Sequence, residues 1–156
     1  MTEHSARHIT FVVERTYQAD PARVFNAWAD SEAKDVWMDD PEFESDGSEF
    51  EFDFRVGGYE RFGGVNPDGS PYRYDGTFYD IVPDERIVYL YQMYENGERS
   101  SVSLTTVEFA KDEAGTKLTY TEQGVFLEGI EPPEDRRQGV ELILANLETY
   151  LARRAG

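Results

Sequence analysis

Carboxylates are the only plentiful acid and base groups in this sequence, so those that face inward are its candidates for chemistry. Side chains alternate between the two faces of a β-strand. In the predicted strands this alternation puts Asp80 on the face of Phe78, and Glu122 on the face of Leu118 and Tyr120. A carboxyl group in apolar surroundings can serve as a general acid or base. Asp80 and Glu122 are therefore the two weak candidates for catalytic residues.

An inward carboxylate also has structural explanations. It can lie at the end of a strand, in solvent, or a cation can neutralise it. Arg15 is such a cation, because it shares the inward face of the first predicted strand with Val13 and Tyr17. The sequence favours a structural ion pair of Arg15 with Glu122 over catalysis.

Histidine is scarce, since His4 and His8 both lie near the amino terminus. A Ser-His-Asp triad or a histidine-based metal site inside the fold is therefore not expected, and both histidines are predicted to be exposed. The acidic run 39–47 resembles a calcium loop when counted from Glu42, but its flanks are typical of strands rather than helices. We predict a solvated acidic loop, no metal site and no cofactor.

The charge of the chain narrows its partners. It has 156 residues, with 32 Asp and Glu against 15 Lys and Arg, a net charge of -17 and no cysteine. Nucleic acids and anionic membranes are not expected to bind, because both are recognised through clustered cations. Only three of the bases are lysines, and such a surplus of acids is typical of adaptation to high salt.

No targeting or disulfide-dependent feature is apparent. The absence of cysteine excludes a disulfide framework and a thiolate metal site. Residues 1–6 are polar and lack the apolar stretch of a signal peptide, and no window approaches the length of a membrane helix. The cytoplasm is the expected location.

The first quarter of the chain predicts one strand and two short helices. Residues 9–18 alternate as a strand does. Asp20 and Pro21 then mark a helix start, because aspartate caps free amides and proline tolerates the first helical position. This helix extends to about Ala29, and a second short helix starts at Asp30 and Ser31 and carries Val36 and Trp37.

Strands separated by turn residues follow, and one long helix ends the chain. The predicted strands are 49–56, 59–65, 72–82, 86–94, 101–110 and 116–123. Beyond Pro132 and Pro133, apolar residues recur every three or four positions, which predicts a helix. Because sheet and helix must bury their apolar faces together, the fold class is α+β, a curved antiparallel sheet of about six or seven strands wrapped around the C-terminal helix.

Large apolar and aromatic side chains are more numerous than one dry core of this size requires. Tyrosines suit a pocket that also holds polar atoms. Plain core packing together with an oligomer interface is an equally good interpretation. The predicted ligand-binding residues are Trp28, Trp37, Met38, Phe54, Phe62, Phe78, Tyr89, Tyr91, Met93, Phe109, Tyr120 and Leu144.

Several short motifs, in order and at the right spacing, carry a family resemblance over nearly the whole chain. They are Arg15-Thr16-Tyr17-Gln18-Ala19 with Val24, Phe25 and Trp28, then Asp53-Phe54-Arg55-Val56-Gly57-Gly58, Pro67-Asp68-Gly69, Gly76-Thr77-Phe78-Tyr79-Asp80-Ile81, Thr116-Lys117-Leu118-Thr119, and Gly139 with Leu144 and Leu147. The sequence resembles the SRPBCC superfamily, which is START-like and similar to the birch pollen allergen. Within it, the resemblance is to homologues of the heat-shock-protein-90 ATPase activator.

The resemblance implies a helix-grip fold as a single domain over residues 9–153, between a polar approach, 1–8, and a tail, 154–156. It implies binding of a small hydrophobic or amphipathic ligand between the sheet and the C-terminal helix, without a cofactor, in a protein that is a possible homodimer. A chaperone-associated protein-binding module is one alternative. An enzyme of the cyclase or hydratase kind, using a carboxylate or a tyrosine, is the other. Fold alone does not decide among them.

Overall fold

The computed structural model describes residues 4–40 and 42–153, which form one antiparallel sheet with three helices. The helices are α1 (Pro21–Ala29), α2 (Ser31–Trp37) and α3 (Pro133–Arg153). The strands are β1 (Ala6–Tyr17), β2 (Glu44–Ser45), β3 (Glu51–Phe52), β4 (Tyr59–Val65), β5 (Pro71–Val82), β6 (Arg86–Glu95), β7 (Glu98–Asp112) and β8 (Gly115–Leu127). The α+β class and the element order predicted from the sequence are confirmed.

The sheet has the order β1-β8-β7-β6-β5-β4-β2, and β3 also pairs with β4. Consecutive strands from β4 to β8 are joined by short turns. The last of them, β8, pairs with the first strand of the chain, β1, at the edge of the sheet. Left-handed residues make several of these turns, among them Asp84 and Asn96 with φ of 65° and 54°. The result is an open sheet whose inward face is covered by the helices.

The long helix follows the predicted period. Its buried positions are Val140, Leu144, Leu147 and Leu151, spaced four, three and four residues apart. At the end of β1, the Tyr17 hydroxyl donates a hydrogen bond to the Leu144 carbonyl oxygen at 2.8 Å. This bond fixes the middle of α3 against the sheet edge.

The helix α1 begins as the sequence predicts. Asp20 is its N-cap, and the Asp20 side chain accepts a 2.9 Å hydrogen bond from the Arg23 amide. Pro21 occupies the first turn, where a missing amide hydrogen has no cost. The buried residues Val24, Phe25 and Trp28 give α1 an apolar face toward the sheet.

The predicted strand 49–56 is wrong in extent, because only Glu51–Phe52 pairs with β4. Beyond Phe52 the chain turns back, and the Gly57 amide bonds to the Phe78 carbonyl oxygen. Gly57 adopts a φ of 84°, which glycine tolerates better than other residues. The alternation of this segment is nevertheless real, because the rings of Phe52 and Phe54 stack 5.8 Å apart.

The two ends of the chain are described only in part, and the first strand starts earlier than the sequence predicts. The tail 154–156 and residues 1–3 lie outside the described residues, as does residue 41 of the acidic run. The predicted approach, 1–8, ends within β1, because Ala6 already pairs with Leu127. Both histidines are exposed, as predicted, and His4 lies 2.7 Å from Glu128.

Candidate functional site

Two fully buried carboxylates project from the sheet, and each meets a cation that a helix supplies. Glu122 on β8 pairs with Arg136 in the first turns of α3. Glu60 on β4 pairs with Lys34 on α2. These two centres contain most of the buried polar chemistry of the described chain.

The first centre surrounds Glu122, whose side chain is 0% exposed. Its carboxylate accepts hydrogen bonds from the hydroxyls of Tyr91 (2.8 Å to both oxygens), Ser103 (2.8 Å) and Tyr120 (2.9 Å). Arg136 Nη1 donates another at 3.0 Å. Four side chains therefore occupy the acceptor sites of one carboxylate, and Arg136 is the one cation among them.

The guanidinium of Arg136 is held from several sides. It lies between the rings of Phe126 and Tyr91, with Cζ at 4.9 Å and 5.3 Å from their centroids. Nη2 donates to the Ser101 hydroxyl at 2.8 Å and to Glu131 Oε1 at 3.0 Å. Burial opposes the charge of Arg136, but Tyr91, Glu131 and Glu122 more than offset this, so its pKa is raised. We call these residues the Glu122 cluster: Glu122, Arg136, Tyr91, Tyr120, Ser101, Ser103 and Glu131.

Local structure explains how the cluster assembles. Arg136 lies four residues before Val140, so helix periodicity puts it on the buried face of α3. Ser101, Ser103 and Glu122 lie on neighbouring strands, where Ser103 pairs directly with Gly124. A Cβ at Gly124 would lie 2.7 Å from the Ser103 hydroxyl. Glycine at this position therefore leaves the space through which Ser103 reaches Glu122.

The tyrosines of this region are hydrogen-bond donors rather than bases. Burial, together with the charge of Glu122 or Glu60, raises their pKa values well above the usual 10.0. The residues so affected are Tyr74, Tyr91 and Tyr120, and burial raises the pKa of Tyr89 as well. Their hydroxyls therefore keep their protons at neutral pH, and those of Tyr91 and Tyr120 donate to Glu122 rather than abstract a proton.

The second centre surrounds the ammonium of Lys34. Its Nζ lies 2.7 Å from Glu60 Oε2, and both side chains are 2% exposed. Four aromatic rings, those of Trp28, Phe52, Phe78 and Tyr89, have centroids 5.2 to 5.9 Å from Nζ. We call Lys34, Glu60 and these four rings the Lys34 cage, in which cation–π attraction supplements the ion pair.

A stack of aromatic rings joins the two centres. Phe62 stacks on Tyr74 with centroids 4.6 Å apart, and Tyr74 stacks on Tyr91 at 4.8 Å. Tyr74 lies beside Glu60, and Tyr91 binds Glu122. The interior is thus a continuous aromatic layer with one ion pair toward each end.

All twelve predicted ligand-binding residues belong to one side-chain cluster between sheet and helices. Eight are buried members of the core: Trp28, Trp37, Phe78, Tyr89, Tyr91, Phe109, Tyr120 and Leu144. Four are partly buried and pack against it: Met38, Phe54, Phe62 and Met93. The structure therefore brings the twelve side chains together in one interior cluster.

The structure does not place Asp80 inside, contrary to the strand-parity argument. Its side chain is 39% exposed and pairs with Arg86, with Oδ2 to Nε at 2.6 Å. The reason is a β-bulge, because Phe78 pairs with Tyr89 while Asp80 pairs with Val88. The additional residue, Tyr79, reverses the alternation and turns Asp80 to the surface.

The predicted partner of Glu122 is also different. Arg15 lies on the inward face of β1, but its guanidinium contacts the Glu141 carbonyl oxygen at 3.3 Å and Glu148 at 3.9 Å. Glu122 pairs with Arg136 instead. The sequence thus correctly predicts an ion pair for Glu122, but the cation is Arg136 and not Arg15.

Sequence reasoning missed Lys34, Glu60 and Arg136, although each carries a periodic signal. Lys34 lies three residues before the buried Trp37 on the same helix. Glu60 lies two residues before Phe62 and therefore on the same, inward face of β4. The charge of these three side chains predicts exposure, whereas their positions in the helix and strand periods predict burial. The structure agrees with the periods.

Two open clefts of about 480 and 300 Å³ lie at the surface of the described residues. The larger lies beside the β4–β5 turn and is lined by acidic residues, asparagine, valine, proline and glycine. The smaller lies between β1 and the start of α3, and we call it the β1–α3 cleft. It is lined by Arg7, Ile9, Thr10, Phe11, Pro132, Pro133, Glu134 and Arg137.

The β1–α3 cleft reaches the Glu122 cluster through one side chain. Phe11 lines the cleft and pairs with Glu122 across β1 and β8. The Phe11 ring also stacks on Tyr120 at 6.3 Å. Pro132 and Pro133, on the opposite wall, follow Glu131 directly in the chain.

The described parts of the chain contain no candidate metal site and no candidate membrane-spanning helix. Residues 4–40 and 42–153 contain no group of three or more His, Cys, Asp or Glu side chains placed to hold a metal ion. Within the same ranges, no helix has the length and apolar character needed to cross a membrane.

An open antiparallel sheet closed by a long C-terminal helix, with a polar cluster inside, defines an SRPBCC-type protein. Residues 18–152 match the family model of activator of Hsp90 ATPase homolog 1-like proteins, and the chain belongs to this family. No curated protein matches the chain.

Solved structures of similar proteins share the fold closely. An uncharacterised protein from Rhizobium leguminosarum is 44% identical with a TM-score of 0.91, covering 98% of this chain and 100% of its own. A Rhizobium loti protein is also 44% identical, with a TM-score of 0.85 and coverage of 94% and 99%. A Chromobacterium violaceum protein is 27% identical, with a TM-score of 0.77 and coverage of 90% and 94%.

Proposed function

We propose that this protein binds a small amphipathic molecule between its sheet and α3, with the polar end of the molecule at the Glu122 cluster. The observation that carries the proposal is the position of this cluster directly behind the β1–α3 cleft. Phe11 separates the two, because it lines the cleft and stacks on Tyr120.

The chemistry of the two regions fits such a molecule. The cleft offers Ile9, Phe11 and two prolines to an apolar body. The cluster offers a polar group the guanidinium of Arg136 and the hydroxyl of Ser101, which accepts a hydrogen bond from Arg136 Nη2. A volume of about 300 Å³ is at the lower end of the usual range for small-molecule sites.

Binding is a better match to the cluster than catalysis. Glu122 already accepts hydrogen bonds from four side chains, and the raised pKa values of Tyr91 and Tyr120 keep their protons in place. Arg136 and Ser101 can orient a ligand by hydrogen bonds. The cluster offers no strong base to a substrate.

Two truncations on the same face of β1 test the proposal. Phe11→Ala removes the ring between cleft and cluster, whereas Val13→Ala removes a comparably buried side chain that does not line the cleft. Thermal shift and calorimetric titration with small aromatic probes such as naphthol and naphthylmethanol measure affinity. We expect Phe11→Ala to change probe affinity by roughly ten-fold and Val13→Ala to leave it within about two-fold.

Saturating probe should also raise the unfolding free energy of the wild-type chain by about 2.7 kcal/mol at a hundred times its Kd. Absence of stabilisation by every probe, up to its solubility limit, would contradict the proposal. Equal effects of the two truncations would contradict the assigned entrance.

A further inference from the structure

We infer that the polar group of the ligand is a carboxylate that binds Arg136 Nη2 and takes the place of Glu131. This inference rests on the proposed function and specifies the ligand class of the same site. Glu131 is then a carboxylate of the protein itself that occupies the subsite until an exogenous one displaces it.

The first argument is the difference among the partners of Arg136. Tyr91, Ser101 and Glu122 lie on β6, β7 and β8, within the sheet. Glu131 alone among the hydrogen-bond acceptors of this guanidinium lies outside the strands, in the short connection between β8 and α3. It is therefore the acceptor whose removal least disturbs the sheet.

The second argument is exposure. Glu131 is 14% exposed, whereas Arg136 is 9% and Glu122 is 0% exposed. The connection that carries Glu131 begins with Glu128 and Gly129, both in the left-handed region with φ of 62° and 63°. Glu131 thus forms the outermost layer of the Glu122 cluster.

The third argument is the geometry that remains after Glu131 leaves. The Arg136 guanidinium stays between the rings of Phe126 and Tyr91, and Nη1 stays bound to Tyr91 and Glu122. Nη2 keeps its bond to the Ser101 hydroxyl and gains a free direction. A guanidinium fixed in this way binds a carboxylate at little cost in side-chain entropy.

The fourth argument connects the subsite to the β1–α3 cleft. Pro132 and Pro133 line the cleft and follow Glu131 without an intervening residue. Glu131 and Arg136 do not line the cleft themselves, so movement of Glu131 must also shift Pro132 and extend the cleft to Arg136. The carboxylate then meets Nη2 while the apolar body of the ligand lies against Ile9 and Phe11.

Exchange of one carboxylate for another keeps the charge of the buried cluster constant. A neutral ligand would have to leave Arg136 with one anion fewer, and an amine would place a second cation beside the guanidinium. The ligand class is consequently a small aromatic or aliphatic carboxylic acid in its ionised form.

A matched pair of probes and a matched pair of variants test the inference. Naphthoate and naphthylmethanol share an aromatic body and differ in the carboxylate. Glu131→Ala removes the competing carboxylate, and Glu134→Ala removes a carboxylate that lines the same cleft without an ion pair to Arg136 in the structure. Calorimetric titration gives the affinities, after circular dichroism and thermal unfolding establish that each variant folds.

We expect Glu131→Ala to bind naphthoate at least about ten-fold more tightly than wild type, the effect of one charge-assisted hydrogen bond. Naphthylmethanol should change by less than about two-fold, and Glu134→Ala should improve naphthoate binding by no more than about two- to three-fold.

The other outcomes overturn the inference in distinguishable ways. An equal gain for both probes would mean that Glu131→Ala only widens the cleft. Binding of naphthylmethanol without any gain for naphthoate would leave the proposed function standing and contradict the carboxylate class. If neither probe binds wild type or any variant, both the proposed function and the inference are wrong.

Discussion

Lys34 Nζ lies 2.7 Å from Glu60 Oε2, in an interior where 2% of each side chain is exposed. The lysine comes from α2 and the glutamate from β4, so this pair connects two layers of the fold. Arg136 and Glu122 repeat the arrangement with α3 and β8. Each of these two buried carboxylates of the sheet is paired with a cation that a helix supplies.

Removing one member of the Lys34 pair should be costly. Lys34→Met leaves Glu60 buried and unpaired, so we expect a loss of about 3–5 kcal/mol in the free energy of unfolding. Lys34→Met combined with Glu60→Gln should recover most of this loss. Urea unfolding of the two single variants and the double variant measures the coupling, and single variants within about 1 kcal/mol of wild type would contradict it.

The hydroxyl of Tyr91 should matter for stability. Tyr91→Phe removes a donor to Glu122 and an acceptor for Arg136, so we expect a loss of about 1–3 kcal/mol. Tyr94→Phe, on the same strand, removes a 3.3 Å contact with Gln92 and an exposed 3.4 Å bond from Arg99, and should cost less than about 0.5 kcal/mol. Chemical unfolding compares the two variants, and equal losses would argue against a special role for Tyr91.

Alkaline pH should unfold this protein through its buried tyrosines. Burial raises the pKa values of Tyr74, Tyr91 and Tyr120 well above 10.0, so the unfolded chain releases these protons before the folded chain does. The stability they contribute is complete below pH 10.0 and is lost as the pH rises above it. Urea unfolding between neutral pH and strongly alkaline pH measures the decline.

A pair of variants separates buried from exposed rings in that experiment. Tyr74→Phe should make the alkaline decline less steep, because Tyr74 is 7% exposed. Tyr79→Phe should leave the decline unchanged, because Tyr79 is 58% exposed. Identical slopes for wild type and Tyr74→Phe would show that this tyrosine does not contribute.

Substitution of Asp80 should affect neither ligand binding nor stability to a large degree. Its pair with Arg86 is at the surface, so Asp80→Asn should cost less than about 1 kcal/mol. Affinity for naphthol and naphthylmethanol should stay within about two-fold of wild type. A larger effect on probe affinity would restore Asp80 to the candidate site.

Salt should stabilise the chain. A net charge of -17 produces self-repulsion that screening reduces. We expect the free energy of unfolding to rise from low salt to molar salt. Glu113→Lys combined with Asp84→Lys, at two exposed turn positions, should diminish that rise. A stability independent of salt would contradict the interpretation of the acidic surplus.

The element order could be predicted because the local patterns agree with the global fold. Asp20 and Pro21 start α1 as expected, and the apolar spacing of α3 matches its buried face. The family resemblance and the periodic patterns support the same α+β arrangement. The bulge at Tyr79 could not be predicted, because neither glycine nor proline marks it in the sequence.

The candidate site could be predicted only in part. Alternation identified Glu122 correctly, and the aromatic residues expected inside do lie together. The identity of the partner cation depends on where α3 crosses the sheet, which no local pattern encodes. Arg136, rather than Arg15, comes within 3.0 Å of Glu122 because of that crossing.

The origin of the buried charges also bears on how the chain reaches its native state. Covering the inward face of the sheet without Lys34 and Arg136 would enclose Glu60 and Glu122 in apolar surroundings with no counter-ion, which is unfavourable by several kcal/mol per charge. A helix detached from the sheet loses its own partner at the same moment. We therefore expect α2 and α3 to dock and undock together with the sheet, so that unfolding is cooperative across both layers.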